Sequence, residues 1–182
     1  HGLGLSSDCT IYDVSNACLG LLNGMVQIAN MIELGQIEAG VVVGTENSRP
    51  LLEATIQWLN RDTSLSRHDI KSAMASLTIG SASASVVLVH RRLSRTGNRL
   101  LGGAARADTN FCHLCRSGRD EAMADRMRPL MSTDSETLMR EGIRVGQETF
   151  LESLDALGWA PDQIDKTFCH QVGRAHRKLM LE

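Results

Sequence analysis

The stretch from residue 18 to residue 44 limits the possible folds of this chain more than any other. Leu22, Met25, Ala29 and Ile32 recur at helical spacing, supported by Leu21 and Ile28, and Gly35 offers a stop. Residues 39–44, AGVVVG, follow at once. Three consecutive β-branched residues between glycines suit a fully buried strand. Residues 9–14, CTIYDV, read as a strand ahead of the helix. Strand, helix and strand in that order imply a parallel crossover and an α/β layer.

The rest of the chain repeats these signals. Pro50 opens a helix carrying Leu52, Ile56 and Leu59, and Ser66 to Asp69 caps a short one. Residues 76–90 hold a strand rich in small residues that ends SVVLVH, and 100–106 suit another strand. Residues 108–131 lack periodicity and read as long loops. Thr133 and Glu136 have capping-box spacing ahead of the stripe Met139, Ile143, Gly146, Phe150, Leu154 and Leu157, with Gly158 as its end. Strand 166–169 and a last helix follow. His1 is not an initiator methionine and the last helix carries no stop signal, so the expectation is an internal piece of a longer protein, inactive and poorly stable alone.

Composition narrows the chemistry. Nineteen basic and twenty-one acidic residues leave a net charge of −2, which gives no support to nucleic-acid binding. No apolar run approaches the roughly 20 residues of a membrane span, so no transmembrane segment is expected. Five cysteines, an odd number in no regular framework, suit a reducing compartment, and the expected location is cytoplasmic.

Two strand-to-helix turns carry reactive side chains. Cys18, in SNACLG, stands where a helix begins, and unpaired backbone amides there favour negative charge on sulfur. It is the candidate nucleophile; a buried structural thiol is the alternative. His170, in TFCHQVG, is the candidate proton acceptor or oxyanion donor, with a structural histidine as the alternative. Gln171 would orient that turn, and Gly173 would permit tight packing. Cys9 and Cys169 read as core thiols, and His176 as a surface or packing residue. Cys112-His113-Leu114-Cys115 invites a zinc reading but lacks the second pair that closes a tetrahedral site, so no metal or cofactor is expected. Arg91, Arg92, Arg95 and Arg99, with Arg116 and Arg119, could meet coenzyme phosphates or simply form a hydrated face.

These residues resemble the thiolase superfamily in its ketoacyl-synthase III branch. Asn16-Ala17-Cys18-Leu19-Gly20 is similar to the nucleophile turn, and His170-Gln171-Val172 to the catalytic histidine segment. Thr78 to Ala84 occupies the place of a small-residue segment that usually holds an aspartate, which is absent here. OleA-type enzymes of long-chain olefin biosynthesis are more similar still. Their pattern is matched by SNACLGLLNGMVQIANMIELGQIEAGVVVGTE, ADTNFCHLCR, MSTDSETLMREGI and LGWAPDQIDKTFCHQVGRAH, in the same order.

The resemblance implies a duplicated α-β-α-β-α fold, here an incomplete central portion. Residues 1–107 would be the latter part of the N-terminal half, and 108–182 the early part of the C-terminal half. It further implies a homodimer that condenses two long-chain acyl-CoA molecules without decarboxylation, giving a β-keto acid, alongside downstream olefin-pathway enzymes. Cys18 would take the first acyl group and His170 would stabilise the enolate. The family's glutamate base would lie upstream and its asparagine downstream of this chain. The alternatives are a decarboxylative ketoacyl synthase III and a noncatalytic acyl-binding protein of the same fold.

Overall fold

The computed structural model describes residues 4–117, 131–170 and 172–181. Two compact units are formed, His1–Glu46 with Ala82–Leu100, and Asn47–Ser81 with Leu101–Glu182.

The first unit is one helix on a two-stranded sheet. Helix α1 (Gly20–Glu33) packs on strand β1 (Ala39–Glu46), which pairs with β2 (Ala82–Val89). The pairing is antiparallel, from Ala39 opposite Val89 to Glu46 opposite Ala82. The expected parallel crossover would have joined residues 9–14 to β1, and no such strand pair occurs among the described residues. Residues 9–14 are not in a described ladder, and Ile11 is 82% exposed.

Small residues bring α1 close to the sheet. A Cβ on Gly24 would lie 2.6 Å from Val42 Cγ1, and one on Gly40 would lie 2.7 Å from Ile28 Cγ2. Real Cβ atoms do not approach so closely. Gly40, Val42 and Gly44 thus form the helix-facing side of β1, while Val41, Val43 and Val87 are exposed on the other. Among the described residues β1 is covered on one face, where the sequence suggested both. Outside the sheet contact α1 also exposes Leu22 and Val26, and it carries no Lys, Arg or Asp. Gly35, at φ +69, supplies the left-handed turn that ends this helix region.

In the second unit, α2 (Arg49–Arg61) starts with Pro50 in its first turn, and Ser66 with Asp69 forms a capping box on α3 (Arg67–Ala73). Thr55, Ala73, Ser76 and Thr133 are the buried residues where α2, α3, the tight turn Met74–Leu77 and β4 (Met131–Thr133) meet. The buried Ser76 hydroxyl donates to the Met131 carbonyl at 3.1 Å. Strand β3 (Cys115–Ser117) pairs antiparallel with β4, within a stretch expected to be loop.

Helix α4 (Ser135–Leu157) buries Ile143 and Leu154, as its stripe predicts, and ends at Gly158 with φ +65. Its cap is Asp134 rather than Thr133: the Asp134 carboxylate accepts the Thr137 N–H, while Thr133 is buried in β4. Helix α5 (Arg174–Leu181) packs on α4, where a Cβ added at Gly146 would lie 3.0 Å from the flexible end of the Met180 side chain. Residues 100–106 and 166–169 are not strands. Their side chains suit extended backbone, but no described segment bonds to them as a ladder.

Candidate active site

Cys18 lies in a tight turn, Ala17–Leu19, immediately ahead of α1, and is exposed. Helix α1 thus starts at Gly20, two residues after the expected start at Cys18. Ala17 is the one non-glycine among the described residues with positive φ, at +41. For an alanine this backbone conformation is sterically costly, and such residues cluster where a side chain is held for chemistry. The turn is closed by the Leu19 N–H donating to the Asn16 carbonyl at 2.9 Å, and the Asn16 side-chain amide donates to the Asn23 side chain. Gly20 completes it: a Cβ there would press on the Val14 carbonyl at 3.3 Å. The nucleophile candidate is thereby fastened at one end to a helix seated on the sheet.

Sequence reasoning did not foresee Asn23 or the left-handed Ala17. Asn23 did leave a signal, as one polar residue inside the apolar run Leu21 to Val26.

His170 ends an extended stretch and is exposed, beside Cys169, which is half-buried, and Phe168, which is 90% exposed. No described group hydrogen-bonds to its imidazole. Gln171 lies outside the described residues. Gly173 has φ +150, and a Cβ added there would meet no atom within 4 Å, so its backbone conformation rather than tight packing calls for glycine. Its carbonyl accepts from the Arg177 N–H at the start of α5. Cys18 belongs to the first unit and His170 to the second.

The other candidates fall away from catalysis. Cys9 is exposed, against its expected core position, because burial depends on distant segments. His176 lies half-buried on α5. No group of three His, Cys, Asp or Glu side chains that could hold a metal occurs among the described residues, Cys112 and Cys115 included. Arg92 pairs with Glu38, which makes that arginine part of the fold of its own unit. Arg119 lies outside the described residues.

A second charged feature surrounds a shallow cleft lined by Arg106, Ala107, Asp108, Arg144, Val145 and Glu148. Arg106 bridges Glu148 and Glu152 at 2.8 and 2.7 Å, and Arg144 reaches Asp108 and Glu148 at 2.7 and 2.9 Å. These carboxylates raise both guanidinium values, chiefly through hydrogen bonds from Arg106 to Glu152 and from Arg144 to Glu141. Both arginines are committed to holding residues 106–108 against α4. No described helix is long and apolar enough to cross a membrane.

No protein-family model matches the chain. An acyl-CoA:acyl-CoA alkyltransferase of Shewanella oneidensis is 40% identical over 182 residues, covering 98% of this chain and 52% of that protein. Another from Xanthomonas campestris is 34% identical over 174 residues, covering 96% of this chain and 48% of that protein. The chain thus spans about half the length of the curated relatives it matches. The structure is similar to a cysteine-to-serine variant of Xanthomonas campestris OleA with bound lauric acid and lauroyl-CoA, with a TM-score of 0.87, 32% identity and coverage of 99% of this chain and 50% of that one. A glutamate-to-alanine variant of the same protein gives a TM-score of 0.88 at 33% identity, over 99% of this chain and 50% of that one.

Proposed function

Because this chain belongs to the OleA-type branch of the thiolase superfamily, we propose that its protein joins two long-chain acyl-CoA molecules by non-decarboxylative Claisen condensation. The chain has a thiolase-like α/β fold with a partial, open sheet. The observation that carries the proposal is Cys18 on an exposed turn behind a left-handed Ala17, in a chain similar to OleA over 99% of its length.

In the proposed reaction the Cys18 thiolate attacks the first acyl-CoA carbonyl. A thioester forms on Cys18 and CoA leaves as its thiol. A base removes a proton from the α-carbon of the second acyl-CoA, and the carbanion attacks the Cys18 thioester carbonyl. The carbon–sulfur bond breaks, Cys18 recovers its proton, and a β-ketoacyl-CoA is released. Hydrolysis of that thioester yields the β-keto acid and CoA. His170 donates a hydrogen bond to the thioester oxygen of the enolate, where charge develops, which for one such donor contributes roughly 3–4 kcal/mol. The base belongs to a glutamate that precedes this chain, and an asparagine beyond it assists His170.

The same reading makes 1–107 the latter part of an N-terminal thiolase-like half and 108–182 the early part of a C-terminal half. It also includes a homodimer, a cytoplasmic location and downstream olefin-pathway enzymes as consumers of the product. Two long acyl chains require an apolar channel to Cys18, since each buried methylene contributes about 0.8 kcal/mol.

The test uses the full-length protein. After incubation with lauroyl-CoA, peptide mass spectrometry should place the acyl group on Cys18, and a β-keto acid should form without malonyl thioester. Condensation that requires malonyl thioester, or normal condensation by Cys18→Ala, overturns the proposal. Acyl-CoA binding without turnover by the intact protein favours the noncatalytic alternative.

A further inference from the structure

Cys112-His113-Leu114-Cys115 is a chemistry-bearing motif that the condensation leaves unused. Both cysteines are free thiols on exposed residues. Cys112 lies in the tight helix Thr109–Leu114, and Cys115 is the residue where the chain leaves it, at φ −134 and ψ 118, to open β3. The separation of their α-carbons is set by His113 and Leu114, and both of these are helical. Three steps of about 2.0 Å give roughly 6 Å. Disulfides span α-carbon separations of about 4.4–6.8 Å.

The surroundings distinguish the two sulfurs. Cys115 stands opposite Thr133 in the β3–β4 ladder, and its Sγ lies 3.6 Å from Thr133 Oγ1. Leu114 beside it is 4% exposed, and its carbonyl accepts from the Asp134 N–H at 2.8 Å. Cys115 is therefore the anchored member. The Cys112 residue is exposed, and its sulfur makes no hydrogen bond among the described residues. With no third metal-ligating side chain grouped with them among the described residues, thiol–disulfide exchange is the chemistry the pair shares.

We propose that Cys112 and Cys115 form a reversible dithiol–disulfide site, oxidised by a small-molecule disulfide such as oxidised glutathione. The Cys112 thiolate attacks one sulfur of the oxidant. The oxidant's S–S bond breaks, one glutathione thiolate leaves, and a mixed disulfide remains on Cys112. The Cys115 thiolate then attacks the Cys112 sulfur and displaces the second glutathione thiolate. Two electrons pass from the protein to the oxidant, and the two protons lost by the cysteines end on the two glutathione thiols. Excess reduced glutathione reverses both steps. The closed ring ties the end of the 109–114 helix to β3, next to the carbonyl that holds the start of α4. This inference is independent of the condensation reaction.

Arg106 and Arg116 bracket the motif, so trypsin releases residues 107–116 with both cysteines and no other. The full-length protein is equilibrated under native conditions with glutathione buffers of increasing oxidised fraction, quenched in acid, alkylated and digested. The expected peptide is unalkylated and lighter by two hydrogens at oxidising ratios, and returns to the doubly alkylated form in reduced glutathione. In Cys115→Ser the same peptide should retain glutathione on Cys112. A peptide that stays doubly alkylated at every ratio overturns the proposal, as does a bridge from either cysteine to another peptide. Faster glutathione capture by Cys115 in Cys112→Ser than by Cys112 in Cys115→Ser overturns the order of attack.

Discussion

Replacing Gly24 by alanine tests how the nucleophile's helix is held. An alanine Cβ at this position would lie 2.6 Å from Val42 Cγ1 and 3.6 Å from Val42 Cβ. Carbon atoms rest at about 3.5–4.0 Å, so about 1 Å must be found. Val42 is β-branched and stiff about χ1, which leaves a shift of α1 away from β1 as the main relief. Overpacking of this kind costs about 1–3 kcal/mol. Alanine in a helix interior gains about 0.8–1.0 kcal/mol over glycine. Gly24→Ala should therefore lower stability by a net ~0–2 kcal/mol.

Gly142 on α4 supplies the control, because it is exposed and nothing lies within 4 Å of its added Cβ. Gly142→Ala should stabilise by up to about 1 kcal/mol, so the two variants should differ by about 1–3 kcal/mol. Val42→Ala combined with Gly24→Ala should recover part of the loss, as a double-mutant coupling of the two sites. Urea unfolding of the full-length protein with linear extrapolation measures all of these terms. Because Cys18 is carried on the turn ahead of α1, Gly24→Ala should also slow acylation. If Gly24→Ala stabilises as much as Gly142→Ala, α1 is not seated on β1 through this contact and the reasoning fails.

Full-length His170→Ala should keep its fold and its acylation of Cys18 while condensation falls roughly 10²–10³-fold; an unchanged product rate excludes the oxyanion role. Ser76→Ala removes the buried donor to the Met131 carbonyl and should cost about 1 kcal/mol in urea unfolding, with no loss refuting that contact's contribution. Hydrogen bonds from Ser66, Thr137 and Arg140 hold the carboxyls of Asp69, Asp134 and Glu141 below their ordinary values of 3.8, 3.8 and 4.5. Depressed folded values mean that the stability is present above the unfolded values and is lost as pH falls through the folded ones. The urea midpoint should thus hold from neutral pH to about 5 and decline below it, and a midpoint unchanged down to about pH 3 contradicts this.

The local elements were legible because their causes are local. The Leu22 to Ile32 stripe, Pro50, the Ser66–Asp69 box, the α4 stripe and Gly158 each act within a turn or two of chain, and each appears where its pattern predicts. The candidate Cys18 was equally legible, since a cysteine among small residues ahead of a helix is a short-range signal. Alternating apolar residues, by contrast, name a strand without naming its partner. The antiparallel union of β1 with the distant β2 was accordingly missed, and residues 9–14 and 166–169 have strand-like composition without a described ladder. Thr133 and Asp134 are both good caps; the pairing of β4 buries the first and leaves the second for α4. The left-handed Ala17 and its link through Asn16 to Asn23 likewise follow from where the helix sits. The sequence by itself determined the main helices and the candidate reactive side chains. Only the tertiary structure decided which extended segments pair, which thiols are exposed and how tightly α1 lies on its sheet, because hydrogen-bond partners and burial come from residues far apart in the chain.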